Sequence, residues 1–167
     1  MIVKLYGMMH RSLIDGEGCR ITYLFHGCSF DCKGCPYKFN DPRPVLLDVI
    51  ILRMNREGIV NIVNGFTLSG GDPFLQPEAG AILLEEAHKI GWDTWTYSCH
   101  TYEELLEMAK TDENVDRMLK ATDVLVDGRY MEELADINLK YRDSSNQRIM
   151  RLVNGVMTEI LDYDNKE

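Results

Sequence analysis

At 167 residues and 19.2 kDa, the chain is sized for one compact domain built around one core. Hydrophobic residues make up 45% and charged residues 27%, with only 5 prolines and no low-complexity tract, which excludes a disordered or fibrous protein. The 27 acidic residues outnumber 18 basic ones, a formal net charge of -9, the wrong sign for gripping phosphates, so no nucleic acid partner is expected.

Short apolar runs with β-forming residues predict strands near Ile2 to Leu5, then at Ile21 to His26, Phe66 to Leu68, Thr94 to Tyr97 and Val124 to Val126. Helices are expected between them. The first runs from Val45 to about Asn55, and the apolar stretch Ile59 to Val63 fits either helix or strand. The clearest spans Glu78 to Ile90, with Pro77 in the first turn, Gly91 as a stop, and Leu83, Leu84, Ala87 and Ile90 toward the core. The next opens at Thr101, where the Thr-x-x-Glu spacing to Glu104 lets the two side chains cap each other's exposed amides. A last one covers Val115 to Ala121. No apolar run approaches the roughly 20 residues of a membrane helix, and the N-terminus lacks a signal-peptide core, so a cytoplasmic protein with no membrane attachment is expected.

Alternating strands and helices predict an α/β domain spanning 1–167 with a parallel sheet, either open or an incomplete barrel, and a C-terminal tail from about residue 150. The unusual residues cluster by position. Gly27-Cys28, Ser69-Gly70-Gly71-Asp72-Pro73, Ser98-Cys99-His100 and Asp127-Gly128-Arg129 each follow a predicted strand, and carboxyl ends of parallel strands are where ligands gather.

Five cysteines, Cys19, Cys28, Cys32, Cys35 and Cys99, make a poor disulfide framework because the number is odd and three fall within eight residues. Cys28, Cys32 and Cys35 read C-x3-C-x2-C on a loop directly after a strand. Three thiolates there can wrap a cubane 4Fe-4S cluster and leave its fourth iron without a protein ligand. A zinc knob or an electron-transfer cluster is the alternative, with Cys19, Cys99, His26 or His10 as fourth ligand. The Gly70-Gly71 turn permits positive φ and close backbone approach to a bound molecule, though such a sequence also makes an ordinary turn.

The C-x3-C-x2-C loop resembles the signature of radical S-adenosylmethionine enzymes, and Ser69-Gly-Gly-Asp-Pro73 resembles that family's second motif. Within it, the chain is similar over nearly its whole length to one branch, the activating proteins of anaerobic ribonucleoside-triphosphate reductase. Asp15-Gly-Glu-Gly-Cys-Arg20 matches the branch's opening motif, Asp127-Gly-Arg-Tyr130 a later strand end, and Tyr141 to Arg148 its Arg and Ser-x-Asn-Gln stretch. Gly34 before the third cysteine suits the small activases, whereas Pro36 displaces the usual aromatic to Tyr37. Glu17 and the segment Trp95 to Thr101, carrying Cys99-His100, depart from the branch pattern.

The resemblance implies an incomplete (partial TIM-type) barrel with flanking helices, a 4Fe-4S cluster on Cys28, Cys32 and Cys35, and S-adenosylmethionine held by Gly34, Cys35, Pro36, Tyr37, Ser69, Gly70, Gly71, Asp72 and Ser98. It implies a 5'-deoxyadenosyl radical that takes a hydrogen atom from a glycine of the large reductase subunit, with reduced flavodoxin or a similar donor supplying the electron and an activase homodimer as an option. No catalytic acid or base is required, so none is assigned. Cys99 and His100, adjacent in a strand, lack the orienting third group of a nucleophilic pair and read as a buried thiol and an exposed imidazole. Arg20, Arg129 and Arg148 are suited to carboxylate recognition or to ordinary surface pairing.

Overall fold

A computed structural model describes residues 1–35, 37 and 41–165. Its strands are β1 (Ile2–Ser12), β2 (Arg20–Phe25), β3 (Arg43–Leu46), β4 (Gly65–Gly70), β5 (Asp93–Ser98), β6 (Val124–Asp127), β7 (Arg148–Val153) and β8 (Val156–Leu161). The helices are α1 (Leu47–Val60), α2 (Pro77–Ile90), α3 (Tyr102–Ala109) and α4 (Glu113–Lys120). All eight strands form one sheet in the order β3-β1-β2-β4-β5-β6-β7-β8.

The expected purely parallel sheet is corrected to a mixed one. Only the centre, β2-β4-β5-β6, is parallel; β1 and β3 on one side and β7 and β8 on the other pair antiparallel. The segment expected as a tail from about residue 150 is the β7–β8 hairpin, whose first strand is hydrogen-bonded to β6. Its turn places Asn154 and Gly155 at positive φ, the conformation that two-residue hairpin loops favour.

The predicted helices form, except that the first opens at Leu47, since Val45 and Leu46 pair with β1 as part of β3, and local chemistry is visible at their ends. Pro77 occupies the first turn of α2 and Gly91 closes it at φ +92° in the left-handed region. Thr101 and Glu104 make the reciprocal capping box of α3. Of the ambiguous stretch Ile59 to Val63, Ile59 and Val60 end α1, Asn61 stops it at φ 56°, and Ile62 and Val63 lie in the connection to β4, neither helix nor strand.

Strand periodicity divides the side chains between two faces. Ile21, Tyr23, Phe25, Phe66, Leu68 and Leu125 join the main core with Ile50 and Met54 of α1, Leu83, Leu84 and Ala87 of α2, Leu105 of α3 and Met118 of α4. A smaller cluster consists of Trp95, Val124, Val126, Ile149 and Tyr163, without any helix residue. Burying these apolar surfaces supplies the main driving force for folding, and the central strands set the positions of the loops that leave their carboxyl ends.

Candidate functional site

Four loops converge at one edge because β2, β4, β5 and β6 run parallel and end side by side. Phe25 of β2 lies opposite Gly70 of β4, and Ser98 of β5 opposite Asp127 of β6. The first two loops are stitched together by backbone: Gly71 N donates to Phe25 O at 2.9 Å and Asp72 N to Gly27 O at 2.7 Å. Gly70 takes φ +106° and Gly27 φ +104°, so the chain turns sharply at both strand ends. At Gly71 the constraint is spatial, since a Cβ would stand 2.1 Å from Gly27 O.

Asp72, fully buried, holds the third loop. Its carboxylate accepts from Phe74 N at 3.0 Å, Ser98 Oγ at 3.1 and 3.2 Å and Cys99 N at 3.1 Å, and it faces His100 Nδ1 at 2.8 Å. Predicted site residues Asp72 and Ser98 are therefore together, but both side chains are spent on each other and on neighbours. The His100 imidazole is corrected from exposed to largely covered, its side chain 14% accessible. The hydrogen bond to Asp72 raises its pKa above the ordinary value against an opposing effect of burial.

The cysteine loop lies beside this network. Cys28 Sγ is 3.6 Å from Cys99 Sγ and accepts from Phe30 N at 3.5 Å, while Cys99 Sγ lies 3.5 Å from Gly71 O. The hydrogen bond with Cys99 outweighs burial and brings the Cys28 thiol down to about 7; the same bond and burial push Cys99 up. Cys99 is half-buried, not fully buried as its sequence context suggests, and Cys28 is exposed. Cys35 N donates to Cys32 O at 3.3 Å, closing a turn in which Gly34 takes φ +75°. Lys33 pairs with Glu132 at 3.0 Å, tying the loop's far end to the connection after β6.

Among the described residues, no three His, Cys, Asp or Glu side chains converge closely enough to hold a single metal ion. The case for metal binding by Cys28, Cys32 and Cys35 rests on the thiol chemistry and its spacing. Ser69 stands half-buried near the end of β4, opposite Leu24. Tyr37 packs its ring 5.8 Å from that of Tyr6, whose hydroxyl donates to Tyr37 O, and burial pushes its own hydroxyl up to about 12. Pro36 lies outside the described residues.

An aromatic clamp on the cysteine loop was not legible in sequence. Phe30, between the first two cysteines, has the Arg129 guanidinium 4.0 Å from its ring centroid and His100 edge-on at 4.8 Å. Arg129 is carried by the loop after β6, which the Ser-x-Asn-Gln stretch supports: Asn146 Nδ2 donates to Arg129 O at 2.8 Å and Gln147 Nε2 to Gly128 O at 3.1 Å. The other two arginines are structural. Arg20 is wholly buried and donates to Thr67 Oγ1, Glu17 O, Phe66 O and Asp93. Arg148 bridges Asp127 and Glu103, which together raise its pKa.

Residues 14–150 match the family model of the 4Fe-4S single cluster domain. Curated relatives lie at about the same distance. The anaerobic ribonucleoside-triphosphate reductase-activating protein of Haemophilus influenzae is 33% identical over 156 residues, covering 83% of this chain and 92% of that protein. The proteins of the same name from Pasteurella multocida and Escherichia coli are 31% and 32% identical, covering 83% and 84% of this chain and 91% and 93% of theirs. Among the described residues no helix is long and apolar enough to cross a membrane.

Proposed function

Because the chain belongs to the family of anaerobic ribonucleoside-triphosphate reductase-activating proteins and carries a 4Fe-4S single cluster domain, we propose that it is a radical S-adenosylmethionine activase of that reductase. The observation that carries this reading is the packing of the C-x3-C-x2-C loop onto the Gly70-Gly71 turn. Gly71, with no room for a Cβ, backs onto Gly27 immediately before Cys28, so a cluster on the loop and a small molecule on the turn would be neighbours.

Cys28, Cys32 and Cys35 would hold the cluster, and their donor chemistry suits it: all three are free thiols carried on one loop. When bound, the cluster would supply the one-electron chemistry for reductive cleavage of the sulfonium carbon-sulfur bond of S-adenosylmethionine. The chain's part is binding and orientation. Ser69, Gly70 and Gly71 would hold the methionyl group through their backbone, Gly34, Cys35, Pro36 and Tyr37 would take the adenine side, and the buried Asp72, which bonds Ser98, would keep the strand-end loops in place around the ligand. No side chain has to move a proton in a hydrogen-atom abstraction.

The substrate is a glycine Cα in the large reductase subunit, which becomes a stored glycyl radical. A reduced flavodoxin-type protein supplies electrons, the setting is cytoplasmic, and an activase homodimer is compatible with this chemistry. Among the described residues, β3 and β8 end the sheet and helix residues pack only into the main core, which supports an incomplete barrel whose open side admits a peptide loop.

Electron paramagnetic resonance of the anaerobically reconstituted, reduced protein tests the reading. A reduced 4Fe-4S signal that changes on adding S-adenosylmethionine is expected. A cluster indifferent to the compound, or no cluster, overturns it in favour of a protein that only carries electrons or is held together by metal.

A further inference from the structure

Cys99 stands immediately after β5, and its sulfur lies 3.6 Å from that of Cys28. The 3.6 Å separation needs to close by little more than an ångström and a half to reach the roughly 2.0 Å of a disulfide bond. The two partners are unequal. Cys28 is exposed, immediately after Gly27, whereas Cys99 is half-buried, its backbone amide held by Asp72. An oxidant from solvent thus meets Cys28 first, and Cys99 is already in place as the second thiol.

We propose that Cys28 and Cys99 form a reversible disulfide, closed by a peroxide-class oxidant, which withdraws Cys28 from metal binding. Peroxide takes two electrons from the Cys28 thiolate sulfur as its oxygen-oxygen bond breaks, leaving a sulfenic acid and, with one proton, water. The Cys99 sulfur then attacks that sulfur, the new sulfur-sulfur bond displaces the hydroxyl, and the Cys99 proton leaves with it as a second water. The sum is two thiols and one peroxide giving one disulfide and two waters; a dithiol reductant returns both thiols by exchange. The bond joins positions 71 residues apart and fastens the cysteine loop to β5. The withdrawal rests on the cluster-ligand reading of Cys28 given above, whereas the cross-link itself does not.

The test uses the full chain, stripped of iron and reduced without oxygen, then treated with stoichiometric hydrogen peroxide. Iodoacetamide alkylation and non-reducing peptide mass spectrometry locate the bond; iron uptake from ferrous iron and sulfide, without a thiol, reads the consequence. The expected result is a Cys28–Cys99 peptide, an about tenfold fall in Cys99 alkylation and in iron uptake, and recovery of both after dithiothreitol. Cys99 still alkylated while Cys28 is linked to Cys32 or Cys35, or carried on to sulfinic acid, overturns the proposal. So does a cross-linked chain that loads iron normally. Full iron uptake by reduced C28S overturns the cluster-ligand reading instead, and the peptide map still decides the cross-link.

Discussion

Gly71 and Gly27 meet so closely that a Cβ on Gly71 would stand 2.1 Å from the Gly27 carbonyl oxygen, an atom that cannot swing aside because it also accepts from Asp72 N. The glycine turn after β4 and the root of the cysteine loop after β2 are therefore one rigid unit. Gly71→Ala is expected to push them apart, costing about 1–3 kcal/mol by overpacking and reducing S-adenosylmethionine binding in equilibrium dialysis. Gly91→Ala is the control: it sits at φ +92° with open space around its Cβ position, so it costs about 1 kcal/mol of backbone strain and leaves binding intact. Equal binding by both variants would separate the turn from the ligand site.

Asp72 is expected to be the side chain whose loss the site tolerates least after the cysteines. Asp72→Asn keeps the size but turns an amide NH2 toward the Ser98 hydroxyl, the Cys99 amide and His100, all of which approach the carboxylate. Leaving buried donors without an acceptor costs about 1–3 kcal/mol, measurable as a lower urea midpoint with unchanged slope. An unchanged midpoint would show that the network does not hold these loops together.

The Asp72 network also marks where sequence reasoning stops. Gly27-Cys28, Gly70-Gly71 and Gly128 were legible as strand ends because glycine and proline punctuate a chain locally, and the cysteine spacing announces its own chemistry. Asp72 reads as a turn residue with a ligand role; its ties to Ser98, Cys99 and His100 span 26 to 28 residues, which no local pattern encodes. The antiparallel flanks were hidden for another reason. β3 is four residues with Pro44 inside it, and most of β8 is exposed, with Val156, Met157 and Ile160 on the surface, so neither shows the burial alternation that identifies a strand.

Single cysteine replacements should divide the five thiols into two groups. Cys28→Ala, Cys32→Ala and Cys35→Ala are each expected to abolish S-adenosylmethionine cleavage, followed as 5'-deoxyadenosine formed under reducing conditions. Cys99→Ser and Cys19→Ser are expected to retain most of it and their iron, since Cys19 packs against the core and Cys99 lies outside the loop. Loss of iron from Cys99→Ser alone would make it a fourth structural ligand and favour the non-catalytic alternative; full activity in Cys32→Ala would remove the loop from the cluster.

A pH dependence follows from a pair remote from the site, His88 and Asp123, whose Nε2 and Oδ2 lie 2.9 Å apart. The hydrogen bond to Asp123 raises the His88 pKa above its ordinary 6.5 despite partial burial. For Asp123, burial pushes upward, but the bonds from His88 and Thr94 outweigh it and hold the carboxyl below its ordinary 3.8. A raised folded-state value means that protonated His88 adds stability in full below 6.5, and that this contribution is lost as pH climbs through the folded value. Asp123 acts at the opposite end, its contribution present above 3.8 and lost as acid protonates it. Both side chains are about two-fifths exposed, so solvent screening limits the pair to about 0.5–1 kcal/mol. The melting temperature of the natural chain should therefore exceed that of His88→Gln by about 1–3 °C near pH 5.5, and the gap should close toward pH 8. A gap that widens with pH would mean that His88 is buried neutral and that the carboxylate of Asp123 serves Thr94 alone.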